Sequence, residues 1–287
     1  METFAQSLTS GLLTGALYAM IGIGLTVVFG VMRIINLAHG EMVMLGMFGA
    51  FWGQALWKLD PFLSLLLWVP VMFVGGMLVY RLLLRKIIPG GELNTLLYTA
   101  GLSLLIANLA LFAWTGDYRT INLSYGQEPV RPFGISIAVP LAVAFVVALA
   151  ITASLWLFLS RTDLGRAIRA TSQNGEAAIL MGVDVERVAM ITFGLGTALA
   201  GAAGVLLAPS LYLYPTVGEL LIVKCFVIVV LGGLGSVPGA IAGGLLLGVV
   251  ESLGAVYVSS TYKDGIGFVL FLIVLLYRPS GLFGVGK

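Results

Sequence analysis

Few residues in this chain could do chemistry, and their spacing excludes most kinds. His39 is the only histidine and Cys225 the only cysteine. No intramolecular disulfide and no cysteine metal cluster can form. A lone histidine makes neither a catalytic triad nor a metal site, so His39 reads as a structural hydrogen-bonding residue ahead of a gating one. The other polar candidates lie in or beside apolar runs: Asn36 and Glu41 flanking His39, Thr99 and Ser103 four apart on one helix face, and Asn108 further along. Uncharged groups of this kind suit a pathway for a zwitterionic solute, and they suit hydrogen bonds between helices equally well. Lys224 and Glu251 each fall inside an apolar run. An unpaired charge at the centre of a bilayer costs ~3 kcal/mol or more, so each needs a partner: the other, Glu219, or a second subunit.

One polar segment, Arg161 to Arg187, interrupts the apolar runs. It predicts two short helices. Asp163 can cap the first, with Leu164, Ala167 and Ile168 on one face and Arg166 and Arg169 on another. Ser172 or Asn174 can cap the second, Glu176 to Met181, where Glu176 is favoured near the positive end of the helix. Gly182 suits the C-terminal stop. Exposing Ala177, Ala178, Ile179 and Met181 to water is unfavourable. The segment therefore either docks into a groove on a partner or folds back onto its own membrane domain.

The elements that must hold these residues are membrane helices. Of 287 residues, 60% are hydrophobic and 10% charged, against about 25% charged in soluble domains. A water-soluble fold of this size could not hide so much apolar side chain. The net charge of +2 is too small to suggest nucleic acid. The fold class is all-α, a polytopic helix bundle forming one transmembrane domain over 1–287. Apolar runs lie at about 7–30, 40–58, 62–80, 93–115, 135–159, 188–208 and 239–258, each close to the roughly 20 residues that span a bilayer. Two further runs, 219–236 and 265–277, leave eight or nine crossings open. The first run is too long for a signal-peptide core and predicts a retained helix. With 81–92 in the cytoplasm, ten Lys and Arg residues fall inside (Arg33, Arg81, Arg85, Lys86, Arg161, Arg166, Arg169, Arg187, Arg278, Lys287) and four outside (Lys58, Arg119, Arg131, Lys263). That bias places the N-terminus outside and the 161–187 loop inside.

Glycine recurs at four-residue spacing, as in Gly11/Gly15, Gly49/Gly53, Gly239/Gly243 and Gly244/Gly248, which lets helix backbones touch. Gly232, Gly233 and Gly235, followed by Ser236-Val237-Pro238-Gly239, predict a helix break. Such a break is tolerated at membrane depth only where protein or a water-filled cavity shields it. It is a candidate pathway wall, or a plain tight turn.

Several of these stretches together resemble a known family. Glu176-Ala177-Ala178-x3-Gly182 matches the start of the EAA signature of ABC-importer permeases, without the usual downstream Ile-x-Leu-Pro. Ile35-Asn-Leu-Ala-His-Gly-Glu-Met42 with Leu45-Gly46, Gly165-Arg-Ala-Ile-Arg-Ala170, Val230-Leu-Gly-Gly-Leu-Gly-Ser-Val-Pro-Gly-Ala240 and Arg278-Pro-Ser-Gly-Leu-Phe-Gly284 resemble the branched-chain amino-acid permeases over nearly the whole chain. The resemblance implies a bacterial inner-membrane permease subunit that works with a second permease, two cytoplasmic ATP-binding subunits and a periplasmic binding protein. It implies ATPase coupling through Arg166, Arg169, Glu176, Ala177, Ala178 and Gly182. The chain itself carries no Gly-x4-Gly-Lys-[Ser/Thr] motif, so it is expected to be neither an ATPase nor dependent on a cofactor. A urea or short-amide permease shares these motifs. A stand-alone channel or ion-coupled carrier is the reading from another class, and the docking segment argues against it.

Overall fold

The computed structural model describes residues 2–123, 125 and 128–283. Among them the regular structure is helical, with only the isolated bridges Arg119–Leu213 and Val130–Ile137 besides. The helices are α1 (Glu2–Met32), α2 (His39–Trp57), α3 (Leu65–Gly90), α4 (Glu92–Trp114), α5 (Val139–Arg161), α6 (Asp163–Gln173), α7 (Gly175–Leu180), α8 (Val185–Leu207), α9 (Val217–Gly232), α10 (Val237–Tyr257) and α11 (Lys263–Tyr277). Six of them, α1, α3, α4, α5, α8 and α10, are long and apolar enough to cross a membrane. The shorter α9 and α11 have 16 and 15 residues.

The segment 81–92, which separates the apolar runs 62–80 and 93–115, is mostly helix. The α3 rod continues to Gly90 through a π turn at Tyr80–Leu84. Tyr80 and Leu84 hold that turn in place by burying against Phe193 of α8, while Arg81 and Arg85 emerge at the end of the rod. Arg85 pairs there with Glu186 at 2.8 Å.

Every spanning helix is apolar all round, so hydrophobicity does not choose which ones lie inside. Side-chain size does. In α1 and α8, with five and four glycines, 83% of the apolar stretch is buried; in α4 and α5, with one glycine and none, it is 22% and 17%. Lipid solvates leucine as well as protein does, whereas small residues gain only by letting backbones approach. Three of the four glycine pairs of the sequence pack in this way within the chain, whereas Gly49 and Gly53 make room for the Trp68 side chain. Gly11 and Gly15 of α1 lie on Gly248 and Gly244 of α10, and Gly239 lies on Gly232.

The bundle contains one pattern twice, in opposite senses. In α1–α2–α3–α4 a long central helix is followed by an extended linker, a helix that begins within the bundle, and two more helices. The order α8–α9–α10–α11 repeats it. The contacts are reciprocal: α10 packs along α1 as α3 packs along α8, and α2 packs on α8 as α9 packs on α1. The central helices cross where Gly24 and Gly196 each abut the other's carbonyl. His39, the first residue of α2, reaches Ile21 of α1, about 16 Å before the end of that helix, so the 33–38 linker turns the chain back into the bundle. Repeats of opposite sense with discontinuous helices between them are a transporter arrangement.

Candidate functional sites

The first cluster forms where α2 and α9 begin. Arg33 turns the chain out of α1 with φ 54°. The buried Asn36 side chain then accepts from Ala38 N at 3.1 Å, and a His39 ring nitrogen bonds the Ile21 carbonyl at 3.1 Å. Thr99 of α4 ties the linker: its hydroxyl accepts from Leu37 N at 3.3 Å and lies 3.3 Å from the Ile35 carbonyl. Ser103 donates to Glu41 Oε1 at 3.3 Å. The other oxygen of the buried Glu41 carboxylate has no hydrogen-bond partner and faces Gly218. A side chain at Gly40 would collide with the Gly218 carbonyl and with Ile222. Gly40-Glu41 and Gly218-Glu219 are the second and third residues of α2 and of α9, so the two repeats meet at equivalent dipeptides. The sequence reading missed the Gly218-Glu219 half; its signal was the recurrence of Gly-Glu at the start of an apolar run.

The structure brings together Asn36, His39, Glu41, Thr99 and Ser103. Asn108 does not join them. It lies on the exposed side of α4 and donates to its own helix at Leu104 O, 2.7 Å. Position 108 follows Thr99 by about two and a half helical turns, which carries it to the opposite face from the Thr99–Ser103 line.

The intramembrane charges form a second cluster. Lys224 Nζ contacts Glu251 Oε1 and lies 2.7 Å from Asp264 Oδ1 of α11, with the Tyr18 ring 5.1 Å away. Lys224 and Glu251 are each 6% exposed, a burial that only paired charges tolerate. Glu219 is exposed and does not take part. Asp264 escaped the sequence reading because it sits just outside the short run at 265–277.

The helix break forms as the glycines require. α9 ends at Gly232, Gly233 and Gly235 have φ of 102° and 83°, and the Ser236 hydroxyl caps α10 by accepting from Gly239 N at 3.1 Å. The tail covers the end of α9: Leu282 N donates to Leu231 O at 2.8 Å and Phe283 N to Gly232 O at 3.0 Å. Gly284, at the end of the tail motif, lies outside the described residues. The break does not adjoin the Glu41 cluster. It lies beside the polar segment, where Gly30, Ser172 and Gly235 come together and an Arg33 nitrogen donates to Ser172 O at 3.3 Å.

The polar segment folds as two helices with changes in detail. Thr162, rather than Asp163, caps α6, accepting from Gly165 N at 3.0 Å. Asp163 sits one residue inside and pairs with Arg166. The buried face is Gly165, Ile168 and Thr171, with Leu164 exposed. Asn174 caps α7 by accepting from Ala177 N at 3.0 Å. Gly182, φ 83°, ends it with bonds from Gly182 N to Ile179 O at 2.9 Å and Val183 N to Ala178 O at 3.0 Å, a Schellman stop. Ala178 is buried, contrary to expectation, because it faces the start of α8. Ile179, Leu180 and Met181 stand 59%, 87% and 84% exposed.

A central bundle of small-residue helices, two repeats of opposite sense and a capped hydrophobic projection at one end define a polytopic membrane permease. The chain belongs to the family described as the permease component of branched-chain amino acid transport systems, whose model matches residues 7–275. It is 35% identical to the high-affinity branched-chain amino acid transport system permease protein BraD of Pseudomonas aeruginosa and 35% identical to LivH of Escherichia coli, in each case over 98% of this chain and 96% of the relative. It is 30% identical to the ribose import permease protein RbsC of Bacillus subtilis over 68% of this chain and 62% of that protein. No solved structure matches it. Like the family, it is a multi-pass protein of the bacterial inner membrane and a transport component rather than a catalyst.

Proposed function

We propose that this chain is a permease subunit of an ATP-driven importer for branched-chain or similar amino acids. It works with a second permease, two cytoplasmic ATP-binding subunits and a periplasmic binding protein. The near-full-length similarity to BraD and LivH supports the substrate class. The α6–α7 projection carries the partner assignment: three large apolar side chains in a row are exposed on a helix that is capped at both ends. Such a surface fits a groove on a cytoplasmic subunit, with Arg166 and Glu176 at its rim, while Arg169 turns toward the cavity beside α5. With nine crossings, this end, with Arg33, Arg85 and Arg187, lies in the cytoplasm. The Gly232–Ser236 break, next to α6, transmits movement of the projection to α9 and α10, and the Asn36–Glu41 cluster lines or shapes the solute path.

Replacing Glu176 and Gly182 together, Glu176→Ala with Gly182→Val, tests this reading. The expected result is a protein that inserts normally and assembles with ATPase activity no longer linked to uptake. Unchanged uptake in the double variant would overturn the coupling role of the projection.

A further inference from the structure

A groove runs along α5 where it leans away from α1 and α10. Its larger part encloses about 750 Å³ and its smaller part about 250 Å³, and the two share Leu149, Thr152 and Ile241. Together they extend along α1 from Leu12 to Val31, and the larger part follows α5 from Leu149 to Ser160, roughly 16 Å of helix and close to one leaflet, half of a bilayer's hydrocarbon core. The polarity is graded along this length. The smaller part is walled by Leu12, Ile23, Phe145 and Leu245 among others and is nearly devoid of polar surface. At the other end Arg169, Ser172, Ser160 and Ser236 share the lining with Trp156. Leu149 and Trp156 are half-exposed or more, so the groove opens sideways onto the membrane.

We infer that this groove holds one anionic phospholipid, its chains along α1 and α5 and its headgroup against Arg169 of α6. Two observations carry this beyond an unpartnered apolar face. First, the groove is long and runs along the helices, apolar at one end and polar at the other, which is the shape and polarity of a lipid in a leaflet. Second, Arg166 is neutralised by Asp163, whereas Arg169 has no ion-pair or side-chain hydrogen-bond partner among the described residues. Basic pockets between membrane helices are matched by acidic headgroups. The inference needs only that the chain lies in a bilayer and does not depend on which solute it moves. Its consequence is that headgroup composition acts on the helix that ends in the α7 projection and on the Gly235–Ser236 break that shares the cavity.

The test is native mass spectrometry of the full chain released from nanodiscs of equal phosphatidylglycerol and phosphatidylethanolamine. One retained lipid is expected, with phosphatidylglycerol favoured about fivefold, the gain that one arginine near an anionic headgroup supplies. Arg169→Gln should keep the lipid and lose the preference. Ala153→Trp and Leu149→Trp, at two different depths of the groove, should each displace lipids of both kinds; circular dichroism identifies a variant that has failed to fold. The proposal is overturned if the wild type retains no more lipid than both tryptophan variants, or if Arg169→Gln leaves the preference unchanged. It is overturned equally if Ala153→Cys, with Cys225→Ser, crosslinks to a second polypeptide in intact membranes, which would make the groove a subunit seam.

Discussion

The carboxylate of Glu41, in the first turn of α2, lies against Gly218, in the first turn of α9. Two helices that start inside the bundle thus meet at their N-terminal ends, where partial positive charge gathers. One of them receives the other's buried acid. At Gly218 a side chain would occupy the space of that carboxylate. Overpacking a well-filled interior costs about 1–3 kcal/mol, so Gly218→Ala and Gly40→Ala are each expected to lower stability by at least that much. Unfolding of the purified protein in a denaturing detergent series measures it. Wild-type midpoints for both variants would mean that the two repeats are not in contact here.

The Lys224–Glu251–Asp264 cluster predicts a non-additive cycle. Lys224→Met leaves two buried or half-buried acids facing each other, and removing one member of a buried pair costs about 3–5 kcal/mol. Lys224→Met combined with Glu251→Gln removes the more deeply buried of the two stranded charges and should recover much of that loss. Stability is read in the same detergent series, with transport in vesicles alongside. Additive losses in the double variant would show that the two side chains do not interact.

The caps of the projection can be tested one at a time. Asn174→Ala removes the side-chain cap of α7 and is expected to loosen it by about 1 kcal/mol. The Glu176–Leu180 amides should then exchange with deuterium several-fold faster while those of α8 are unaffected. Gly182→Val forces a branched residue into φ 83°, and should disturb the same amides more strongly than the cap variant. Equal exchange in all three proteins would mean that these residues do not hold α7 in shape.

Ser236 borders the open cavity beside α6. In a Cys225→Ser background, Ser236→Cys is expected to react with a small polar thiol reagent. If the α6–α7 projection moves the break, the rate will change when nucleotide is added to the assembled transporter. Cys225 itself, fully buried with its thiol toward Ile21 O, should stay inert. A Ser236→Cys that is unreactive in every nucleotide state would reduce the break to a tight turn.

Much of this architecture could be read from residue types alone. The bilayer environment followed from composition, because no soluble fold of this length hides so much apolar surface. The Gly232–Gly239 break and the Asn174 and Gly182 boundaries followed from local backbone preferences that need no distant partner. The Thr162 cap was missed by one residue, within the range in which neighbouring hydroxyl and carboxylate side chains compete for the same amides.

What only the tertiary structure decided is which residues meet. A helix that is apolar on every side carries no face signal, so periodicity could not say that α1 and α8 lie inside while α4 and α5 face lipid. That choice depends on whether small residues on two distant helices come opposite each other, as Gly24 and Gly196 do. It could not say that Asn108 turns outward while Thr99 and Ser103, on the same helix, turn in. Nor could it pair Lys224 with Asp264, 40 positions on, or place Glu41 at Gly218. Those contacts join segments far apart in the chain, and their energy comes from close packing and charge burial that exist only once the helices have assembled.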